Sequence, residues 1–533
     1  MKYSIDRMIS KGQRIFGFGW LFDRQLAIAS LALELRLTDD TVVTLAVESG
    51  RTRDDVAQAY PGVPNATHSG FFVYGGWVGA PLAEAALAGK TADGIAFRLA
   101  VPVTAGGDRG LWPSDIHFIW ITARAWALLR RGRFRILAQK ARRWLTRPVA
   151  IPAGSSSATM GPLTQLAHSP AMLIVDHDLG GGANMYRERV AAEHIRSGRR
   201  VAILTFQVKD LSYVLELRNE HAVSRFEIAS LDTIYDLAKQ GAFRAILFNN
   251  AVSFERPEEV PTLLLALKRD FALDFSIVMH DYQAICPSHF LLDHRGLYCD
   301  LPAISTCKTC IGATRDGFVS LYAARDIVEW RLRWGACLAA ADEVLCFSRA
   351  ARDLLLRAFP SLDRRRIEIV PHHIGHLPLR RVQLNRGAPL HIGVVGHIDR
   401  AKGAHVIHDL AHEVLRRGLP VRISIIGTVS GNVPHALVSE TGPYAHDELP
   451  TLIEKSGANL FLFPSVVPET FSFVTRELIQ LGVPLACFNI GAQAEWVSEY
   501  ELGRVFPRDI GADLLDGLLA FHAALTAPNR APA

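Results

Sequence analysis

Hydrophobic and polar positions follow two different rhythms along this chain. Up to about residue 105 the apolar runs are short, partly alternating and rich in β-branched and aromatic residues: GQRIFGFGWLFD, IASLALELRLTD, TVVTLAVE, GFFVYGG and GIAFRLAVP. Turn residues such as Asp39-Asp40, Pro61-Gly62 and Gly75-Gly76 separate them, which predicts a small all-β sandwich. From residue 170 onward strands alternate with helices. AMLIVDHD, RRVAILTF, RAILFNN, FSIVMHD and DEVLCFS predict one series of strands, with helices after Gly180-Gly181-Gly182 and near 258–268. After EIVP at 368–371 a second series opens with LHIGVVGHI, VRISIIGT, NLFLFPS and PLACFNI, and helices near 404–417, 447–456 and 473–481. Two strand–helix series predict an α/β protein with two doubly wound, Rossmann-like domains. The expected organisation is a β-sandwich-like accessory domain over 1–105 and a basic helix with linker over 106–168. A first doubly wound domain follows over 169–382 and a second over 383–533. Ligands are expected in a cleft at the carboxyl ends of the two sheets.

The chain has 533 residues, of which 49% are hydrophobic and 21% charged, the balance of an ordinary globular protein. No apolar run approaches the ~18 residues of a spanning helix, and MKYSIDRMIS lacks the apolar core of a signal peptide, so a cytoplasmic location is expected. The net charge of +5 is local. Nine bases lie in 124–147, and taking them from the total leaves −4 for the rest, which speaks against nucleic acid as a partner. Phe134, Leu137, Ala141, Trp144 and Leu145 line one side of that stretch, and Pro148 ends it. It reads either as a helix lying on an anionic membrane surface or as a solvated helix packed on a neighbouring domain.

The stretch LFLFPSVVPETFSFVTRELIQLGVPLACFNIGAQAEW, 460–496, concentrates the candidate chemistry. A strand leads into Pro468-Glu469-Thr470-Phe471, and Ser472 is placed to cap a helix that Gly482 and Pro484 stop. Glu469 and Glu477 stand eight positions apart, a rise of ~12 Å if the spacing were helical throughout. That separation suits one carboxylate on a sugar, the other on a ribose diol, and helix N–H groups on a diphosphate between them. In Gly396-His397-Ile398-Asp399-Arg400-Ala401-Lys402-Gly403, a tight turn brings Lys402 to a helix start, where its ammonium suits a departing diphosphate.

With these motifs, residues from about 170 to the end resemble retaining nucleotide-sugar glycosyltransferases of the GT-B fold, in particular the large bacterial family four marked by Glu-x7-Glu. The resemblance implies that Glu469 contacts the donor sugar, Glu477 the ribose, and the backbone around Phe471 and Ser472 the donor. It implies the glycine-rich loop with Gly181 and Gly182 beside the donor phosphates, and His280, at the end of FSIVM, near the scissile bond. The family typically carries Gly-Arg where this chain has Gly396-His397, with Lys-Gly following as in Lys402-Gly403. Arg400 stands as the substitute for the second basic contact. The implied reaction is sugar transfer from a nucleotide-diphosphate sugar to a glycan or lipid-linked acceptor in surface polysaccharide assembly, with no cofactor needed for the chemistry. A GT-B epimerase, a phosphorylase or a non-catalytic sugar-binding relative would use the same cleft.

Four further features bear on metals and sugars. Asp176-His177-Asp178 spells Asp-x-Asp, a metal signature in other transferases, but its position before the glycines favours a structural or acceptor-facing role. Cys286, Cys299, Cys307 and Cys310, with a terminal Cys-x2-Cys, read either as a closed structural zinc site or as free thiols of a long loop. Pro371-His372-His373 reads as a linker, and Trp20 and Trp77 as core residues rather than sugar platforms.

Overall fold

The computed structural model describes residues 1–51, 53–105, 151–152, 169–314, 316–375, 377, 380–385, 387–431, 433–434, 436–508 and 511–526. The basic stretch 124–147 lies outside the described residues. Two compact units divide the chain. One holds Met1–Ser49, Arg53–Cys346 and Leu354–Glu368; the other holds Ile369–Ala533 with Gly50–Thr52 and Phe347–Asp353. No helix among the described residues is long and apolar enough to cross a membrane.

The first unit opens with two β-sheets. One is built on Lys2–Lys11, Arg14–Phe22 and Gly70–Gly76, paired antiparallel. The other joins Val42–Ala46, Ile28–Leu37, Leu82–Thr91 and Ala96–Val101 in that order. They share one core in which Met8, Ile15, Leu33, Leu35, Val73 and Leu87 are buried. Trp77 is buried in it, and Trp20 packs against Phe22 and Tyr60, so both tryptophans serve the core. Two of these strands, Lys2–Lys11 and Leu82–Thr91, escape the sequence pattern. Leu82–Thr91 is alanine-rich and is held as a strand by pairing on both sides, a case of tertiary context overriding weak local preference.

The same unit carries a nine-stranded sheet. Its middle runs Val201–Gln207, Ala171–Val175, Phe243–Phe248, Asp274–Val278 and Glu343–Cys346, all parallel. Ala171–Val175 is buried at every position, which is why it reads as an unbroken apolar run. The sheet is not wholly parallel. Ser212–Arg218 and Val223–Ile228 add an antiparallel flank beside Val201–Gln207. Asn219 turns that hairpin, its Oδ1 accepting from the His221 and Ala222 amides at 2.8 Å. The second unit holds a six-stranded sheet in the order 438–440, 422–429, 391–398, 460–463, 485–488, 503–506, with every pairing parallel. The expected fold class, two doubly wound α/β sheets after a β-rich region, is present.

In each doubly wound sheet the strand that opens the strand–helix series, Ala171–Val175 or His391–Ile398, has later strands on both sides. The connections therefore reverse direction between 171–175 and 243–248 in one sheet, and between 391–398 and 460–463 in the other. Loops leaving the carboxyl ends of such a strand pair diverge and leave a crevice, the usual ligand position in open α/β sheets.

Candidate active site

In the second unit both loops at the reversal point carry candidate residues. After the strand His391–Ile398, the Lys402 amide donates to Asp399 Oδ1 at 2.9 Å and closes the turn. Gly403 follows with φ +87° and starts the helix Ala404–Arg417. A Cβ on Gly403 would stand 2.0 Å from the Pro464 carbonyl oxygen, so only glycine lets this turn lie against the end of the strand Leu460–Phe463. This close approach brings Lys402 Nζ to Glu469 Oε1 as an ion pair. The lysine side chain is 36% exposed and the glutamate 17%, so the pair lies at a surface with partial access.

The loop carrying Glu469 is fastened from three directions. Its amide donates to Gln493 Oε1 at 3.0 Å, Gln493 Nε2 donates to the Val467 carbonyl at 2.8 Å, and the Ala492 amide donates to the Glu469 carbonyl at 2.9 Å. Trp496 Nε1 donates to the Phe471 carbonyl and Ser348 Oγ to the Thr470 carbonyl, both at 2.8 Å. Phe471 is buried, and its ring and that of Phe473 meet the imidazole of His372. His372 thus docks the crossing chain onto this loop, beyond the linker role expected of it.

Ser472 occupies the N-cap position of the helix Phe473–Gln480, but not as a side-chain cap. Its φ is +64°, and its hydroxyl pairs with Thr475 Oγ1 at 2.6 Å. The left-handed backbone turns the chain sharply enough to enter the helix directly from the buried Phe471. Only Phe473 onward is helical, so the helical separation of ~12 Å for Glu469 and Glu477 does not hold over their full spacing. Glu477 is buried on the inner side of this helix, with Oε1 3.6 Å from His446 Nδ1. The Glu477 carboxylate raises the His446 pKa above its ordinary value, and Tyr444 is raised by burial and by the same charge. Gly396, with φ +117°, lies near the end of its strand, where His397 Nδ1 meets Thr428 Oγ1 at 2.7 Å; Arg400 is exposed on the turn that follows.

A second polar cluster stands at the reversal point of the first unit. Asp176 is fully buried, with Oδ2 accepting from Asn184 Nδ2 at 2.8 Å and from Arg187 Nη1 at 3.0 Å. Burial raises its pKa to about 6 against the pull of Arg187. Asn184 and Arg187 thus hold this carboxyl within the fold. His177 Nδ1 accepts from the Leu179 amide at 3.1 Å, and burial lowers its pKa to about 4. Gly180 and Gly181 have φ of +92° and +84°, and open space lies where side chains would be; Gly182 begins the helix. Asn249 donates through Nδ2 to the Ala183 carbonyl, so its Oδ1 accepts from His280 Nε2 at 2.8 Å. The Tyr186 ring packs edge-on against His280. Asp281 accepts from Asn250 Nδ2 and from the Gln283 amide, each at 2.8 Å. Asn249, Asn250 and Gln493 were not anticipated. The signal for the first two was the polar pair ending RAILFNN; Gln493 had none.

The four clustered cysteines are free thiols. Burial raises Cys286 to about 12 and also raises Cys299. Cys307 Sγ lies 3.8 Å from Arg331 Nη2, and Cys310 Sγ 3.9 Å from Thr314 Oγ1. Among the described residues no group of three or more His, Cys, Asp or Glu side chains is arranged to hold a metal ion.

No family model matches the chain. It is 30% identical over 186 residues to alpha-maltose-1-phosphate synthase of Mycolicibacterium smegmatis, a match covering 31% of this chain and 48% of that protein, about half its length. Among solved structures it is similar to the Anabaena protein HepE in complex with UDP-glucose, with TM-score 0.41 and 13% identity over 66% of this chain and 89% of that one. It is also similar to the lipopolysaccharide outer core galactosyltransferase WaaB, with TM-score 0.42 and 12% identity over 67% and 91% of the two chains. Sucrose-phosphate synthase from Thermosynechococcus elongatus gives TM-score 0.43 and 16% identity over 67% and 90%.

Proposed function

We propose that the chain is a retaining glycosyltransferase that moves a sugar from a nucleotide-diphosphate sugar to a glycan or lipid-linked acceptor. The observation that carries this reading is the Lys402–Glu469 ion pair, held at the strand reversal of the second sheet with the buried Glu477 in the helix that follows. An ammonium at a helix start suits a diphosphate, and two carboxylates on either side suit the hydroxyls of a sugar and a ribose. In this reading a donor breaks the ion pair: its diphosphate takes Lys402 and its sugar hydroxyls take Glu469. Gly396 and Arg400 are assigned to the diphosphate, with the backbone at Phe471 and Ser472; Gly181 and Gly182 are assigned to donor binding as well.

No side chain is assigned as nucleophile. The acceptor hydroxyl attacks the anomeric carbon from the face the diphosphate leaves, the leaving phosphate oxygen takes its proton, and His280 holds the sugar. Catalysis is then chiefly electrostatic, with Lys402 and the helix dipole offsetting charge on the leaving group. The stretch shared with a maltose-1-phosphate synthase supports a carbohydrate substrate. Assembly of surface polysaccharide on an anionic membrane through 124–147 belongs to the same proposal and rests on that segment's nine bases. The test is a panel of nucleotide sugars assayed for transfer and slow hydrolysis. Glu477→Ala is expected to raise the donor KM about tenfold or more, and Lys402→Ala to lower kcat at least 100-fold, the order seen when one charge-stabilising group is removed. Unchanged kinetics in both variants would sink the assignment.

A further inference from the structure

Glu477 combines two properties at odds with simple hydroxyl binding. Its side chain is only 2% exposed, while the imidazole in contact with it, that of His446, is 58% exposed. The solvent-facing ring thus reaches the buried carboxylate, its Nδ1 3.6 Å from Oε1. His446 opens the short turn His446–Glu448, which leads into the helix Leu449–Ser456, so it comes from a different element than Glu477. A ribose diol that reaches Glu477 by this route has to take the place of His446.

We propose that His446 is a displaceable cover on Glu477, occupying the carboxylate in the free protein and giving it up to the ribose of an incoming donor. The inference rests on the donor-binding reading above and adds a competition within it. The groups facing the pair set its response to pH. Glu477 and Asp447 both favour the imidazolium, the former by direct contact. Tyr444 adds its phenol beside Glu477 and stays neutral, because burial and that carboxylate raise its pKa. Glu448 is engaged elsewhere, accepting from the Ala445 amide at 2.8 Å.

The sign follows from linkage. His446 has a raised pKa while it covers Glu477 and a lower one once displaced, so donor binding releases a proton. Affinity is then weakest where the imidazole is charged and rises with pH until it is neutral. A difference of one pKa unit between the two states gives about a tenfold gain in affinity.

The experiment is isothermal titration of the full chain with UDP-glucose, ADP-glucose and GDP-mannose between pH 5.5 and 8.5. Nucleotide sugars are the right probes because their diphosphate is a diester with no proton to lose in this range. For whichever donor binds, the dissociation constant is expected to fall about five- to tenfold across the series. Runs in buffers of different ionisation enthalpy should register the released proton. His446→Gln and His446→Ala should bind more tightly than the native chain at pH 5.5 and lose most of the pH dependence. Binding whose pH profile is the same in native and variant chains overturns the cover. A folded native chain that binds none of the three donors at any pH overturns the donor-binding reading itself, and the cover with it.

Discussion

Asp176 and His177 are adjacent, both buried, and displaced by burial in opposite directions, to about 6 and about 4. Between pH 4 and 6 the native chain holds a proton on Asp176 that the unfolded chain has shed, so this group's contribution to stability falls as pH rises. His177 does the reverse: the unfolded chain binds a proton between pH 4 and 6.5 that the native chain refuses, so stability rises with pH across that window. Each shift is worth roughly 3 kcal/mol, and in the native chain the two largely cancel. His177→Gln removes one side of the balance. The stability difference between native and variant chains, from urea titrations at pH 4, 5 and 6.5, is expected to grow in favour of the native chain by roughly 3 kcal/mol over the series. A difference that stays flat would mean that His177 titrates as an exposed histidine does. The sequence marked both residues through Asp-x-Asp but not their environment, because Arg187 and Asn184 approach from the following helix and only the fold brings them in.

At the scale of elements, the turn Asp399–Gly403 and the loop after Leu460–Phe463 form one device. Gly403 tests it, with Gly418 as its match. Both begin or end the same helix with φ in the left-handed region, +87° and +61°, but an added Cβ at Gly403 meets the Pro464 carbonyl at 2.0 Å, while at Gly418 it meets nothing within 4 Å. Gly418→Ala is expected to cost about 1 kcal/mol, the left-handed penalty alone, with donor turnover kept. Gly403→Ala adds a clash that only backbone movement relieves, and that movement carries Lys402 away from Glu469; thermal melts should show a loss of about 2–3 kcal/mol, and turnover should fall with it. Equal effects of the two substitutions would count against the close approach. Both halves of this device were legible in the sequence, because a strand, a tight turn and a helix start are local patterns. The parts that fasten them were not. Gln493, Trp496 and His372 reach the Glu469 loop from distant segments, and His446 reaches Glu477 across a sheet order that no local pattern encodes. The hairpin Ser212–Ile228 escaped for a related reason: its burial on an existing sheet, rather than a strong alternation of its own, makes it a strand pair.

At the scale of the molecule, the β-rich start is built into the first unit and does not hang from it. Tyr74 donates its buried hydroxyl to the Ser253 carbonyl at 2.8 Å and stacks on Phe206. Gly76 donates its amide to Ser320 Oγ at 2.9 Å, and a Cβ on Gly317 would stand 2.0 Å from the Tyr74 carbonyl. Arg14, only 8% exposed, donates from Nε to the Glu255 carbonyl at 2.8 Å and from Nη2 to that of Leu321 at 3.4 Å. Its charge also offsets part of the burial that raises the carboxyls of Glu255 and Glu258. Nothing in the local pattern of residues 1–105 announces this seam, since its partners lie about 130–310 positions away. Arg14→Met keeps the volume and removes the donors, leaving buried carbonyls unsatisfied; hydrogen bonds from a charged donor set the loss at about 3 kcal/mol. Scanning calorimetry should show the β-rich start and the nine-stranded sheet melting in one transition, lowered by this substitution, while the transition of the six-stranded unit keeps its temperature. A β-rich start that unfolds in a step of its own, with the nine-stranded sheet unaffected by Arg14→Met, would mean that the seam contributes little and that residues 1–105 are the separable accessory domain their strand pattern suggests.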